Sequence, residues 1–348
     1  MPDKLLLTGA TGFLGYYLAH ALAAGGRRFT ALVRPGARVS HLEELNEWCT
    51  LREGDLTDPE SLQGAVTGVD TVIHAAAMIS FEDRLEDELL LVNGEGTADL
   101  VNAMLHAGAR RLIHVGSVSA LDRRDGGPAV RVVDRWPAQR PTTAYARSKF
   151  AAEREVWRGQ AEGLSVAAVY PTTMVGAGDW RGRNTPSLWR YVNGGGRFYP
   201  RGTAGFVDVR DVARAVLTLL ERDLDGERFL LNADNLSWET FFDRVAASID
   251  GTPPGIGLSR WQSAALWPLA GAWARLTGNE PAVTRGKHRT AQASYRYDGN
   301  DYVAVTGNDY IPLASTFTET GKAFRMSQTL GQGMPPTYLP LLSSHHLR

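Results

Sequence analysis

The sequence of 348 residues has a single cysteine, no surplus of either charge and no long apolar run. The lone Cys49 excludes an intrachain disulfide, and its position at the start of a predicted buried strand indicates an inert thiol. The formal net charge of −1 gives no indication of a nucleic-acid partner. No segment approaches the roughly 18 apolar residues of a membrane-spanning helix, and nothing at the N-terminus resembles a signal peptide. We therefore expect a cytoplasmic protein without a transmembrane segment.

The sequence does contain, close to its N-terminus, a strand, a glycine turn and a helix in immediate succession. The apolar run at 5–7 predicts a strand buried on both faces, and helix-spaced apolar residues begin at Phe13. Between them, the glycines allow bare backbone N–H groups and a helix N-terminus to approach a diphosphate. A plain strand-to-helix turn explains the glycine spacing poorly. We therefore predict a dinucleotide site formed by Gly9, Thr11, Gly12, Phe13, Leu14 and Gly15.

Strands and helices continue to alternate after this turn. Short apolar runs predict further strands at 29–33, 50–53, 71–74 and 111–115. This alternation is typical of an α/β fold with a doubly wound, Rossmann-type parallel sheet.

The length of the chain predicts two lobes, or one domain with a large elaboration, and we favour the two lobes. Residues 1–170, to which about 205–235 return, form the predicted dinucleotide-binding domain. Residues 171–348, comprising the insertion 171–204 and the segment 236–348, form a smaller and mostly helical substrate lobe. The tryptophan-rich segment 258–276 is interpreted as lobe core or substrate wall rather than as a membrane-surface helix.

The predicted second strand lacks the carboxylate that holds the ribose 2′-hydroxyl in NAD-specific sites. Arg34 and Arg38 follow this strand instead. A guanidinium matches a 2′-phosphate, so we expect NADP(H) in preference to NAD(H). The alternative is that Arg34 is a solvated loop charge.

Small and polar residues follow the other predicted strands at the edge where ligands bind in such sheets. Asp55 can accept from an adenine amino group or form a local Asx turn, and its position alone leaves both open. The small side chains of Ala75, Ala76 and Ala77 would let a cofactor lie close to the backbone. His74, at the end of its strand, is interpreted as a structural histidine.

Tyr145 and Lys149 are four residues apart on a predicted helix, so their side chains share one face. An ammonium beside a phenol favours the phenolate and would lower the tyrosine pKa. Ser117 follows a predicted strand and could hold a substrate oxygen. The alternative is that the two residues lie on the surface without a functional role, but the preceding strand–helix units disfavour it.

Several motifs in a fixed order extend over about residues 4–235. They are TGATGFLG at 8–15, GDL at 54–56, HAAA at 74–77, Asn93 with Gly96-Thr97, Gly116-Ser117, YARSK at 145–149, YPT at 170–172 and FVDVRDVA at 206–213. With these motifs the chain resembles the extended short-chain dehydrogenases/reductases. That group contains NAD(P)-dependent epimerases, dehydratases and dihydroflavonol-reductase-like enzymes.

The resemblance implies roles for individual residues. Ser117, Tyr145 and Lys149 would be the catalytic triad, and Asp55 and Leu56 would flank the adenine. The loop formed by Pro171, Thr172 and Thr173 would border the nicotinamide, and the following insertion would cover the substrate. One departure is Gly116, where the family often has a second hydroxyl residue. The resemblance also suggests a monomer or a homodimer.

An apolar and aromatic wall is predicted around a small-molecule substrate. Its predicted contacts are Ile79, Phe81, Ser119, Met174 and Trp180, and further wall candidates are Met78, Trp136, Trp189 and Tyr199. Arg181, Arg183 and Arg190 could instead hold a phosphate or carboxylate. The C-terminal histidine pair lacks metal-site spacing, so no metal is expected.

Three functions compete at this point. The first is an NADPH-dependent carbonyl reductase, or the matching alcohol dehydrogenase, in which Tyr145 exchanges a proton as hydride is transferred. The second is a nucleotide-sugar epimerase or dehydratase with retained NAD. Arg34 and the absence of an acidic pair after Ser117 favour the first over the second. The third is a non-catalytic NADP(H)-binding protein. The set of Ser117, Tyr145 and Lys149 disfavours it, because a protein that only binds the cofactor has no need of a proton donor.

Overall fold

The computed structural model describes residues 4–132, 141–182, 184–222, 224–262, 264, 289–330, 334 and 336–341. Trp136, Arg183 and most of the tryptophan-rich segment 258–276 lie outside these residues. Within the described ranges, no helix combines the length and the apolar character that a membrane crossing requires.

A seven-stranded parallel sheet lies at the centre of the fold. The strands of the chain are β1 (Leu5–Thr8), β2 (Phe29–Val33), β3 (Cys49–Glu53), β4 (Thr71–His74), β5 (Arg111–Val115), β6 (Ser165–Pro171), β7 (Thr173–Val175), β8 (Phe198–Pro200), β9 (Thr203–Asp208), β10 (Arg228–Leu231), β11 (Asp234–Ser237) and β12 (Ile256–Leu258). The order across the sheet is β10-β6-β5-β4-β1-β2-β3, which is the doubly wound, Rossmann-type arrangement expected from the sequence. The remaining strands form two small sheets, β11-β9-β7 and β12-β8.

Helices cover both faces of the central sheet. The helices within the described residues are α1 (Phe13–Ala24), α2 (Ser40–Glu43), α3 (Pro59–Val66), α4 (Glu86–Leu89), α5 (Gly96–Ala107), α6 (Ala144–Ala161), α7 (Ser187–Asn193), α8 (Val209–Glu221), α9 (Trp238–Ser248), α10 (Asn300–Thr306) and α11 (Leu313–Thr329). Because side chains alternate along a strand, Leu7 packs into the core on one face of β1, and Leu6 packs into a second core on the other. This two-sided burial accounts for the uninterrupted leucines of β1.

The apolar spacing of about residues 85–106 predicts one long helix between β4 and β5, but the structure differs. A π-helical turn, Leu90–Glu95, separates α4 from α5. Asn93 lies in this turn with its side chain buried. Its Oδ1 accepts from the backbone nitrogen of Met78 at 2.7 Å, and its Nδ2 donates to the carbonyl of Met78 at 2.9 Å and to Ser148 Oγ at 2.9 Å. The turn therefore joins the segment after β4 to helix α6.

Candidate active site

The turn between β1 and α1 accommodates only glycine at two positions. Gly9 has a φ of +75°, and a Cβ there would lie 2.6 Å from the backbone nitrogen of Ala76. A Cβ on Gly15 would lie 2.0 Å from the carbonyl oxygen of Gly9, so the helix packs directly on the turn. Gly12 is exposed, and no described side chain caps the N-terminus of α1. This bare edge fits a diphosphate, because backbone N–H groups at a helix N-terminus bind anions.

The other residues predicted around this turn differ in exposure. Thr11 is exposed, whereas Leu14 is buried in the core. Phe13 is half-buried, and its ring lies 2.9 Å from the position of a Cβ on Gly178. The three alanines after β4 are half-buried.

A hydrogen-bonded chain of buried side chains supports the edge beside Gly9. His74 Nδ1 lies 2.9 Å from Thr8 Oγ1, and His74 Nε2 lies 3.0 Å from Thr97 Oγ1. Thr8 Oγ1 also accepts from the backbone nitrogen of Ala76 at 3.2 Å. Burial lowers the pKa of His74 to about 3, so its imidazole is neutral. His74 is thus the structural histidine that its place at a strand end predicts.

Ser117 and Tyr145 are brought together by β5 and α6. The Ser117 hydroxyl is close enough to the Tyr145 phenol to influence its pKa as a hydrogen-bond partner, and Ser117 Oγ accepts from the backbone nitrogen of Ser119 at 3.1 Å. The ring of Phe81 packs against Tyr145 with 5.7 Å between centroids. Burial raises the pKa of Tyr145, while the Ser117 hydrogen bond and the charge of Arg123 act in the opposite direction. Since the pKa is raised overall, the phenol is protonated at neutral pH.

Lys149 lies one helical turn after Tyr145 and is directed toward the end of β5. Its Nζ donates to the carbonyl oxygen of Val115 at 3.1 Å, and its side chain is buried. The sequence predicts that this ammonium lowers the pKa of Tyr145. In the structure, Ser117 and Arg123 exert that influence, and burial outweighs both. The spacing of four residues therefore places both side chains on one helix, but Lys149 is not among the groups that shift the pKa of Tyr145.

The residues predicted at the adenosine end lie after β2 and β3. Asp55 Oδ1 accepts from the backbone nitrogen of Thr57 at 2.9 Å and from its hydroxyl at 2.8 Å. Of the two alternatives open for Asp55, the structure thus contains the Asx turn. Leu56 is buried, and Arg34 and Arg38 are both exposed.

The segment that follows β6 is fixed by two hydrogen bonds to one carbonyl. The backbone nitrogen and the hydroxyl of Thr172 each donate to Leu231 O at 3.0 Å. Pro171 ends β6, and Thr173 and Met174 begin β7 with half-buried side chains.

The structure separates the predicted wall residues into two groups. Met78, Phe81 and Met174 are half-buried, and Ile79 is exposed. The prediction is wrong for Trp180, which is fully buried against Phe324 and donates from Nε1 to Thr337 Oγ1 at 3.1 Å.

Trp189, a further wall candidate, is also fully buried in the core. Apolar character alone cannot distinguish a pocket wall from a core residue, because both bury an aromatic ring. Tyr199 is half-buried and donates from its hydroxyl to Glu239 Oε1 at 2.5 Å.

Arg123 is a group near Tyr145 that no pattern in the sequence identifies. It lies in the polar loop after β5, where it has no periodic pattern and no motif around it. A single arginine in a polar loop gives no signal that separates it from a solvated charge. Its position becomes evident only from the fold.

The family comparison agrees with this architecture. Residues 5–231 match the model of the NAD dependent epimerase/dehydratase family. The matched segment runs from the first residue of β1 to the last residue of β10. It therefore includes every strand of the central sheet and all the groups described above around Ser117 and Tyr145.

Within the aligned segments, individual relatives are identical to the chain at about a third of the positions. Sterol demethylase protein B of Methylococcus capsulatus is 33% identical over 237 residues, which are 66% of this chain and 70% of the relative. Cinnamoyl-CoA reductase 1 of Oryza sativa subsp. japonica is 31% identical over 238 residues, 64% of this chain and 69% of the relative. The crystal structure of gox2253 is 30% identical, with a TM-score of 0.79 over 93% of this chain and 98% of that one.

Proposed function

The chain belongs to the NAD dependent epimerase/dehydratase family, and we propose that it is an NAD(P)H-dependent reductase of a ketone or aldehyde. Reductases among its relatives support an oxidoreductase activity. The observation that carries the proposal is the buried phenol of Tyr145 beside the Ser117 hydroxyl, with its pKa raised by burial. A protonated phenol is the form that donates a proton, which is what carbonyl reduction requires.

The roles of the three side chains follow from their chemistry. Ser117 and Tyr145 hydrogen-bond the carbonyl oxygen, and Tyr145 gives its proton to the alkoxide that develops there. A nicotinamide cofactor, when bound, supplies the hydride. Lys149 has three N–H groups and uses one of them on Val115 O, so it can also hold a ribose hydroxyl.

The substrate is proposed to have an apolar body. Met78, Ile79, Phe81 and Met174 offer partly accessible apolar side chains, one of which packs against Tyr145. The names of the relatives, which refer to a sterol and to cinnamoyl-CoA, support the same class. Ser119, whose nitrogen donates to Ser117, is proposed as a polar contact.

NADP(H) is the proposed cofactor because Arg34 follows β2 and is exposed. A guanidinium there can pair with a 2′-phosphate that NADH lacks. We expect Arg34→Ala to reduce the kcat/KM ratio of NADPH to NADH by about 10- to 100-fold. Arg28→Ala, which removes an exposed arginine just before β2, is the matched control. A wild-type enzyme that prefers NADH, with no change in Arg34→Ala, would contradict the NADP assignment.

The test of the reaction itself uses Tyr145→Phe. This variant keeps the ring that packs on Phe81 and removes only the proton donor. We expect it to fold and bind NADPH, as measured by fluorescence titration, and to lose about 100- to 10,000-fold in turnover. Turnover within about tenfold of wild type on a good carbonyl substrate would remove Tyr145 from its proposed role.

An epimerase or dehydratase is the second candidate, because the family model carries that description. The two functions differ in how the cofactor is held. Denaturing the purified protein and identifying the released nucleotide separates them. Stoichiometric NAD would favour the epimerase, whereas a nucleotide-free protein that oxidises NADPH with a carbonyl compound would favour the reductase.

A further inference from the structure

Arg123 lies in the loop after β5, and two tyrosines from a distant part of the chain hold its side chain. Its Nη1 donates to the hydroxyl of Tyr297 at 3.3 Å, and its guanidinium lies over the ring of Tyr295 at 4.8 Å from the centroid. A guanidinium stacked on one ring and bonded to another has little freedom to move. Arg123 is therefore a positioned cation and not a freely solvated one.

The backbones that carry these residues are also joined. Asp125 Oδ1 accepts from the backbone nitrogen of Ser294 at 2.8 Å, and the nitrogen of Gly126 donates to Ser294 O at 3.0 Å. Further along, Val130 donates from its nitrogen to Arg296 O at 2.8 Å. The loop and the 294–298 segment thus run together, which fixes Arg123 from both sides.

This cation lies beside the proposed reaction centre. The ring of Tyr297 is 2.6 Å from the position of a Cβ on Gly205, and the methyl group of Thr172 is 2.7 Å from the same position. Tyr297 is therefore a neighbour of the loop proposed to border the nicotinamide. On the other side, the charge of Arg123 is close enough to Tyr145 to lower its pKa against the effect of burial.

Arg123 has no acidic partner within the described part of the chain. Arg147 and Arg210, two other arginines that are not exposed, each have one: Arg147 pairs with Glu86 at 2.5 Å and Arg210 with Asp208 at 2.8 Å. Asp125 lies two residues after Arg123 on the same loop, but its carboxylate pairs with Arg260 at 3.0 Å. A half-buried guanidinium whose partners among the described residues are a phenol and a ring face retains donors for an anion.

We propose that Arg123 binds a carboxylate of the substrate, so that the enzyme reduces oxo acids whose acid group lies close to the carbonyl. The proposal rests on the proposed carbonyl reductase function and specifies its substrate class. The carbonyl oxygen would accept hydrogen bonds from Ser117 and Tyr145, and the carboxylate would pair with the guanidinium of Arg123. The apolar body of the substrate would pack against Phe81. Arg181 and Arg190 are the described arginines whose sequence positions also suggest anion binding. Both are exposed and lie outside the loop that follows β5.

The test compares matched acids and esters. We measure kcat/KM with NADPH for benzoylacetate and for its ethyl ester, using wild type, Arg123→Gln, Arg123→Lys and Arg124→Gln. Arg124 is the adjacent arginine, exposed on the same loop, and serves as the charge-matched control. The wild type should prefer the acid by about 10- to 100-fold, as expected for a charge-assisted pair.

The expected pattern among the variants is specific. Arg123→Gln should lose that preference while its rate on the ester stays within about threefold, Arg123→Lys should keep part of it, and Arg124→Gln should keep it all. A wild type that reduces the ester as well as the acid would overturn the proposal. So would an Arg123→Gln variant that loses activity equally on both compounds.

A binding measurement makes the outcome independent of turnover. Calorimetry with NADP⁺ present compares 3-phenylpropanoate with 3-phenylpropanamide, neither of which can be reduced at a carbonyl carbon. Tighter binding of the acid by about tenfold or more, lost in Arg123→Gln, supports the anion site even if no carbonyl compound is reduced. Equal binding of the acid and the amide by the wild type overturns it, whatever the outcome for Tyr145→Phe.

Discussion

At the residue scale, Lys149 has the most unusual environment of the proposed triad. Its ammonium is buried beneath the end of β5. Burial lowers the pKa of Lys149 to about 8, although the carboxylate of Glu153 opposes this effect. The charge of Lys149 in turn contributes to lowering the pKa of the neutral, buried His74 and His114. A lysine in this setting loses its proton within the range in which enzymes are assayed.

The pH dependence of the reductase should follow from this lysine. Lys149 is protonated below its pKa of about 8 and neutral above it. Tyr145, with a raised pKa, stays protonated through that range. We therefore expect kcat/KM for carbonyl reduction to be level near neutral pH and to fall as pH rises above about 8, measured by initial rates of NADPH oxidation.

Two variants separate this effect from general loss of activity. Lys149→Met should have a lower rate with no break near pH 8. Lys322→Met, which removes an exposed lysine on α11, should keep the wild-type profile. A wild-type rate that continues to rise well above pH 8 would contradict the assignment of the break to Lys149.

The sequence could predict which side chains share a region but not how their polar atoms are paired. The spacing of Tyr145 and Lys149 correctly places both on one helix, α6. It does not show that Nζ is drawn to the carbonyl of Val115, because that contact depends on the packing of α6 against β5. The same limit applies to Gly116, the departure from the family pattern. A Cβ there would lie 2.8 Å from the ring of Tyr170, a contact between residues distant in sequence.

At the element scale, the π turn before α5 is the feature most directly tied to the site. Turns of this kind often occur at functional positions in helices. Here the turn carries Asn93, whose amide bonds both backbone groups of Met78 and the hydroxyl of Ser148. It thereby links the start of the proposed substrate wall to the helix that carries Tyr145.

Removing this amide should destabilise the protein. Asn93→Ala leaves buried partners without their hydrogen bonds, so we expect the free energy of unfolding to fall by about 1–3 kcal/mol in urea titrations. Asn46→Ala, at an exposed position, should change it by less than about 0.5 kcal/mol. Equal stability of the two variants would show that the Asn93 bonds do not brace the turn.

Elements with a clear hydrophobic pattern in the sequence were predictable, whereas elements stabilised mainly by tertiary contacts were not. The predicted strands at 29–33, 71–74 and 111–115 coincide with β2, β4 and β5. Helix α11 is not predictable from the sequence, since its threonines and Gly321 are poor helix formers. A Cβ on Gly321 would lie 2.2 Å from the carbonyl of Ser248, so this glycine permits close packing of α11 on α9.

At the scale of the whole molecule, the described C-terminal residues around Tyr338 pack against α1, the helix that follows the glycine turn. The hydroxyl of Tyr17 donates to Ala177 O at 2.7 Å and accepts from the nitrogen of Leu339 at 3.1 Å. The rings of Tyr16 and Tyr338 stack with 3.4 Å between centroids. Segments more than 300 residues apart therefore converge on α1.

We propose that the chain works as two lobes. Residues 1–170 with about 205–235 would hold the dinucleotide, and the insertion 171–204 with 236–348 would hold the substrate. The parallel pairing of β10 with β6 supports the return of the chain to the first lobe. The family resemblance ends near residue 235, and beyond it the sequence has no motif from which a role could be predicted.

The most direct test of the account follows a deuterium atom. NADPH carrying deuterium at the transferable C4 position of the nicotinamide is mixed with the enzyme and a carbonyl substrate, and the product is examined by mass spectrometry and NMR. We predict an alcohol with deuterium on the former carbonyl carbon and one NADP⁺ released for each alcohol formed. An altered product without deuterium, or turnover with no net oxidation of the cofactor, would contradict the proposed reductase.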